Sequence, residues 1–203
     1  MKNSKCKICR RLGIVLFPKC KKFFARKPYP PGEKRKKRSS SLSEYGKELK
    51  EKQKLRYWYN LSEHQFRKYV KEVLEKRGKV EDASSLLIKK LERRLDNVIF
   101  RLGFATSRSQ ARQMITHRHF LINNKIINIP SYQVKVGDII TVKPSSRKKS
   151  PFCNLPSLLK KYNFPSWLKF DIKELKGEVV KEPSTEECIP PIEISSIFEY
   201  YSR

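Results

Sequence analysis

Apolar positions recur with helical spacing through much of the chain. Phe66, Tyr69, Val70, Val73 and Leu74 fall at i, i+3, i+4, i+7 and i+8, one face of an amphipathic helix, with Arg67, Lys68, Lys71 and Glu72 on the other. Ser62, followed by Gln65, marks its start as a capping box, and Gly78 marks its stop. Ser41 with Glu44 repeats the box for an earlier helix. A third stripe, Leu87, Leu91, Leu95, Val98 and Leu102, predicts one helix from about Ser85 to Leu102, closed by Gly103. Ser107 with Gln110 opens a fourth, from Arg108 to about His117, that buries Ala111, Met114 and Ile115. Shorter strand signals follow. Phe120 to Ile122 and Lys125 to Asn128 flank Asn123 and Asn124, whose tolerance of positive φ suits a two-residue hairpin turn. Ile139 to Val142 follows a further turn signal at Gly137 and Asp138. Residues from about 91 to 144 thus form a compact module of helices and a small sheet, and the fold class is α+β.

Charge narrows the choice of partner. The formal net charge is +27, from 47 Lys+Arg against 20 Asp+Glu. Self-repulsion of that size opposes compaction unless a polyanion neutralises it, which makes nucleic acid the first suspect. No apolar run approaches the roughly 20 residues needed to span a bilayer, so no membrane partner is expected. The charge is uneven: Met1 to Arg38 holds 15 Lys+Arg and one acid, Glu33, whereas Asp171 to Arg203 holds eight acids and four bases. Lys34, Arg35, Lys36, Lys37 and Arg38 follow prolines and cannot pack inside a core; they read as an arm ordered against an anionic surface.

Two constellations carry candidate chemistry. Arg108 and Arg112 stand one turn apart on the fourth helix, and two planar guanidiniums on a rigid helix can each grip a pair of phosphate oxygens. Cys6 and Cys9 have the spacing of half a zinc knuckle, and Cys20 adds a third thiolate. Cys153, Cys188 and the histidines at 64, 117 and 119 are all remote in sequence, so zinc would lack a nearby fourth ligand. The odd total of five cysteines favours a reducing compartment over a disulfide framework.

The stretch LERRLDNVIFRLGFATSRSQARQMITHRHFLINNKIINIPSYQVKVGDIITV closely resembles the RNA-binding S4 domain as it occurs in the bacterial and organellar small-subunit ribosomal protein S4 family. CKICRRLG, KPYPPG, LSEYGKELKEKQKLR, PSWLKFD and EYYSR extend the resemblance along nearly the whole chain. The resemblance implies a basic arm over 1–40 with a possible remnant zinc knuckle, a discontinuous helical domain over 41–90 and 148–203, and an inserted S4 module over 91–147. It implies direct binding of 16S-type ribosomal RNA, early subunit assembly, contact with neighbouring small-subunit proteins, and a place near where mRNA enters, with influence on translational accuracy. The RNA-facing positions it implies are Arg93, Arg94, Arg101, Ser107, Arg108, Gln110, Arg112, His117, His119, Asn123, Lys125 and Tyr132. Members with early cysteines carry four that hold a metal, and this chain keeps three.

S4 modules also accompany RNA-modifying enzymes such as pseudouridine synthases, and Arg94-Leu95-Asp96 imitates a synthase's short signature around its aspartate. Helical periodicity places Asp96 within a helix, and no paired base, nucleophile or Gly-rich phosphate loop accompanies it, so no catalysis is expected. The match begins within a few residues of Met1, leaving little room for a presequence. Lysine outnumbers arginine 31 to 16. Both point to a ribosome in bacterial cytoplasm or in a plastid that encodes its own copy.

Overall fold

The computed structural model describes residues 4–32, 41–76, 82–150, 152–153, 155, 159, 162–172, 174–188 and 190–202. Two compact units divide the chain: both ends, Met1–Glu75 with Pro190–Arg203, form one, and the intervening Lys76–Ile189 forms the other. The module expected over 91–147 lies within the second of these units.

In the terminal unit, the expected extended arm is largely folded. Helix α1 (Lys5–Leu12) ends on Gly13, whose φ of 72° suits a left-handed cap. A tight turn at Pro18–Cys20 leads into α2 (Lys21–Arg26). The cause is hydrophobic: Cys9, Leu12, Leu16 and Cys20 are buried together, covered partly by Tyr57 and Trp58. Both lie at the end of α3 (Glu44–Trp58) and pack against the cluster. Helix α3 starts on Ser43, whose hydroxyl accepts the Gly46 N–H, rather than on Ser41. Helix α4 (Glu63–Leu74) starts as expected, with the Ser62 hydroxyl accepting the Gln65 N–H and with Phe66, Val70 and Val73 buried. Its expected stop, Gly78, lies outside the described residues, as do Lys34, Arg35, Lys36, Lys37 and Arg38.

The middle unit begins with α5 (Ala83–Glu92), capped by the Asp82 carboxylate, and α6 (Leu95–Arg101). The four stripe leucines and Val98 are fully buried, yet the single predicted helix is broken. Arg94 is extended, with ψ of 136°, and chain from a distant loop takes up the freed backbone groups. Leu95 and Asp96 donate their N–H groups to the carbonyls of Tyr132 and Pro130, and Val134 donates to Arg93. Helix α7 (Arg108–Thr116) follows, then β1 (Phe120–Ile122), β2 (Lys125–Ile126) and β3 (Ile139–Val142), with a short α8 (Pro144–Arg147).

Two strands absent from the sequence reading, β4 (Leu168–Asp171) and β5 (Lys176–Val179), extend the sheet to the antiparallel order β2-β1-β3-β5-β4. Pairing of Ile140 with Gly177 is what carries the unit past residue 147. A short α9 (Thr185–Cys188) packs near α5 and closes the unit. Phe104 meets Phe120 and Phe170 edge-on at 5.2 Å, fixing α6 and α7 against the sheet.

Gly177 sets how closely α6 approaches β5: a methyl there would lie 2.6 and 3.0 Å from the two terminal carbons of buried Leu102. Gly177→Ala should therefore destabilise the protein by about 1–3 kcal/mol through overpacking, read as a lower urea midpoint with an unchanged m-value. An unaltered midpoint would show that Leu102 yields freely.

Candidate nucleic-acid interface

Helix α7 is started by the Ser107 hydroxyl, which accepts the Gln110 N–H at 3.3 Å. The Gln110 side chain reaches back one residue further than a capping box requires, accepting from the Thr106 N–H and hydroxyl at 3.0 and 2.7 Å. Ser107 and Gln110 therefore shape the helix start. Ala111, Met114 and Ile115 are buried, as their spacing predicted.

The arginines have partners that the sequence did not disclose. Asp96 receives Arg94 through Nε at 3.1 Å and Nη2 at 2.8 Å, and Arg112 through Nε at 3.2 Å and Nη2 at 2.7 Å. Arg94 and Asp96 are about 1% exposed, so Arg94, expected on the RNA face, is instead an internal strut. A second carboxylate works similarly. Glu92, fully buried, takes both ends of the Arg101 fork at 2.9 and 3.0 Å and the Asn97 amide at 2.6 Å. The Asn97 carbonyl oxygen in turn accepts from Arg108 Nε at 2.7 Å, and the Arg108 guanidinium lies 4.6 Å over the Phe100 ring. Thus Arg108 and Arg112 are not a loose pair of phosphate forks. Each is oriented by α6, with Arg112 keeping 30% of its side chain exposed.

Arg93 donates through Nε to the Val134 carbonyl and lies 3.6 Å from Glu182. Tyr132 is half-buried and serves α6 through its backbone carbonyl. At the hairpin, Asn123 and Asn124 have φ of 48° and 65°, the two left-handed residues the turn needs. Asn123 also binds inward, donating to Asp138 at 2.8 Å and accepting from the Ile139 N–H at 2.9 Å. Its amide thus fixes the hairpin to β3, and both Asn123 and Lys125 are exposed.

His117 and His119 stand at the end of α7, their rings nearly parallel and 6.1 Å apart. His117 is exposed, whereas His119 is half-buried, with Nδ1 2.9 Å from the Ser146 hydroxyl and its ring edge-on to Phe152. Burial first, then the positive neighbours His117, Lys149 and Lys143, pushes His119 below its ordinary range. Arg118 lies between the histidines with φ of 57°, in the left-handed position that usually ends a helix on Gly, and its side chain is exposed. Sequence reasoning missed Arg118, Lys143 and Lys149; the only signal was their basic character.

From Ala83 to Ser150 there are three acids, Glu92, Asp96 and Asp138, and all three are buried. Every exposed charge on this stretch is therefore a cation, the condition for docking on phosphates. The same burial answers the enzyme reading, because Asp96 is enclosed and shared by two guanidiniums.

Comparison with known proteins agrees with this geometry. Residues 1–92 match the Ribosomal protein S4/S9 N-terminal domain, and residues 93–140 match the S4 domain. A small ribosomal subunit protein uS4 of Roseiflexus castenholzii is 44% identical over 200 residues, covering 97% of this chain and 96% of the relative. The chain belongs to the ribosomal protein S4 family. Small ribosomal subunit proteins uS4 of Caldicellulosiruptor saccharolyticus, 45% identical over 98% of this chain and 96% of the relative, and of Chlorobium limicola, 40% identical over 100% and 98%, are similar to the same extent. The S4 domain match covers the break after Glu92, α7, the hairpin and most of β3's approach, which is where the buried acids and exposed cations alternate.

The early cysteines Cys6, Cys9 and Cys20 of this S4 family chain sit in one cluster, with Cys6 and Cys20 in direct contact. Cys6 Sγ lies 2.7 Å from Cys20 Sγ, whereas two thiolates on one tetrahedral zinc stand roughly 3.8 Å apart at Zn–S bonds of about 2.3 Å. No cluster of three or more His, Cys, Asp or Glu suited to a metal occurs among the described residues. Burial, then the hydrogen bond with Cys6, pushes the Cys20 thiol up to about 12.

Asp96→Asn should cost about 3–5 kcal/mol by leaving Arg94 as an uncompensated internal charge, measured by chemical denaturation; a loss below 1 kcal/mol would refute the strut. For His119, the folded-state pKa lies below the unfolded value, so its neutral form stabilises fully above about pH 6.5 and the benefit fades as pH falls below that. Wild type should thus lose more stability than His119→Gln between pH 7.5 and pH 5.5, and parallel losses would remove His119 from the account.

Proposed function

We propose that this chain is a structural, non-catalytic component of the small ribosomal subunit that binds 16S-type ribosomal RNA directly. The observation that carries the reading is 44% identity to a small ribosomal subunit protein spanning 97% of the chain. The three buried acids support it physically, since they leave a cationic face over Ala83 to Ser150. Contacts from that face to the sugar-phosphate backbone provide most of the affinity, and the shape of an RNA junction provides selectivity.

The contact residues we propose are Arg108, Arg112, His117, Arg118, His119, Lys125, Lys143 and Lys149, with Arg93 and Arg101 at the margin, and with Lys34, Arg35, Lys36, Lys37 and Arg38 contributing from the N-terminal segment. Arg94, Ser107, Gln110, Asn123 and Tyr132 act by holding the backbone that presents them. Binding belongs to an early stage of subunit assembly, and the assembled position lies among other small-subunit proteins near the entrance for mRNA, where it influences translational accuracy. The compartment is bacterial cytoplasm or a plastid. No helix among the described residues is long and apolar enough to cross a membrane.

Tagged protein should sediment with the small-subunit peak of a sucrose gradient at moderate salt, and its absence there would sink the reading. Arg118→Ala with Lys125→Ala should flatten the salt dependence of 16S-fragment binding by roughly two phosphate equivalents while stability stays within about 0.5 kcal/mol. An unchanged slope would move the contact face elsewhere.

A further inference from the structure

The cysteine cluster of the terminal unit has no part in the proposed RNA contacts, yet its geometry is specific. Cys6, on α1, donates to the sulfur of Cys20 at 2.7 Å across a separation of fourteen residues. A disulfide needs sulfurs about 2.05 Å apart, so the pair has roughly 0.65 Å to close. Access is graded as well. Cys9 and Cys20 are 0% and 1% exposed, while Cys6 is half-buried and within reach of solvent.

We propose that Cys6 and Cys20 form a reversible disulfide when the protein meets a hydroperoxide, with Cys9 a bystander, so that the N-terminal helices acquire a redox-dependent staple. In the first step the sulfur of Cys6 attacks one peroxide oxygen, the O–O bond breaks, and water leaves with the thiol proton, giving a sulfenic acid. In the second, the Cys20 sulfur attacks the Cys6 sulfur; the S–S bond forms, the S–O bond breaks, and the departing hydroxide takes the Cys20 proton as a second water. Two thiols are oxidised by two electrons, and one hydroperoxide is reduced. The staple closes a loop that contains Leu12 and Leu16, the apolar half of the cluster, and so restrains the unfolded chain at the segment whose folding replaces an extended arm.

The test uses the full-length protein treated with hydrogen peroxide, alkylated, digested and mapped by mass spectrometry. The expected product is a Cys6–Cys20 linked peptide pair, two hydrogens lighter, reversed by dithiothreitol and accompanied by a raised thermal midpoint. Cys9→Ser should still cross-link, and Cys6→Ser should not. Sulfinic acid at Cys6 without a link, linkage through Cys9, or links only between chains would overturn the proposal. So would one zinc per purified chain that is lost in Cys6→Ser, because such an ion would hold the sulfurs apart. Since wild-type mapping decides these outcomes, a variant that fails to fold does not protect the idea.

Discussion

The arrangement of this protein's cationic face depends on the burial of Asp96 between Arg94 and Arg112. An isolated carboxylate in that position would be prohibitive to desolvate, and an isolated Arg94 equally so. Together they satisfy one another, and the shared carboxylate fixes α7 to the start of α6 through Arg112. Glu92 repeats the device for Arg101 and, through Asn97, for Arg108. Positive side chains are thus held at chosen orientations by negative ones that solvent never meets. From Ala83 to Ser150 the cationic face arises from an excess of bases together with the burial of every acid in that stretch.

Much of the helical framework was legible because its causes are local. The Ser62 and Ser107 caps, the buried faces of α4 and α7 and the stripe from Leu87 to Leu102 all follow from spacing. The break between Glu92 and Leu95 was not, because the apolar period continues across it. It is set by carbonyls at Pro130 and Tyr132, more than thirty residues away, and no local pattern announces them. Strands β4 and β5 were hidden for a similar reason: LKFD and KGEV are short and charged, and only the pairing of β5 with β3 and of β4 with β5 makes them strands. The final acidic tail proved to include a helix, α10 (Ser195–Ser202), in the terminal unit. Tyr201 donates to Glu63 there at 2.9 Å beside the buried Lys52, an arrangement between residues far apart in sequence.

The candidate interface was legible as charge and family resemblance, but not as a division of labour. A sequence shows that Arg94, Arg101, Arg108 and Arg112 are cationic; it does not show which of them a carboxylate has claimed. Asn123 illustrates the same limit. Its identity announced a turn, and the turn formed, yet its amide also binds Asp138 and the Ile139 N–H. Such double use explains why turn chemistry and contact chemistry are easily confused when only residue types are known.

The discontinuity of the terminal unit has a consequence during synthesis. Lys76–Ile189 can collapse once its own strands have emerged, whereas Met1–Glu75 lacks its closing helix until Pro190–Arg203 has been made. At about 5–20 residues per second, that interval is on the order of ten seconds. For that time Lys52, Glu63 and the apolar face of α4 are without Tyr200 and Tyr201. The nascent chain therefore matures from the middle outward, and its amino-terminal segment, Met1–Glu75, spends the interval as the portion most open to chaperones, proteases and early ligands.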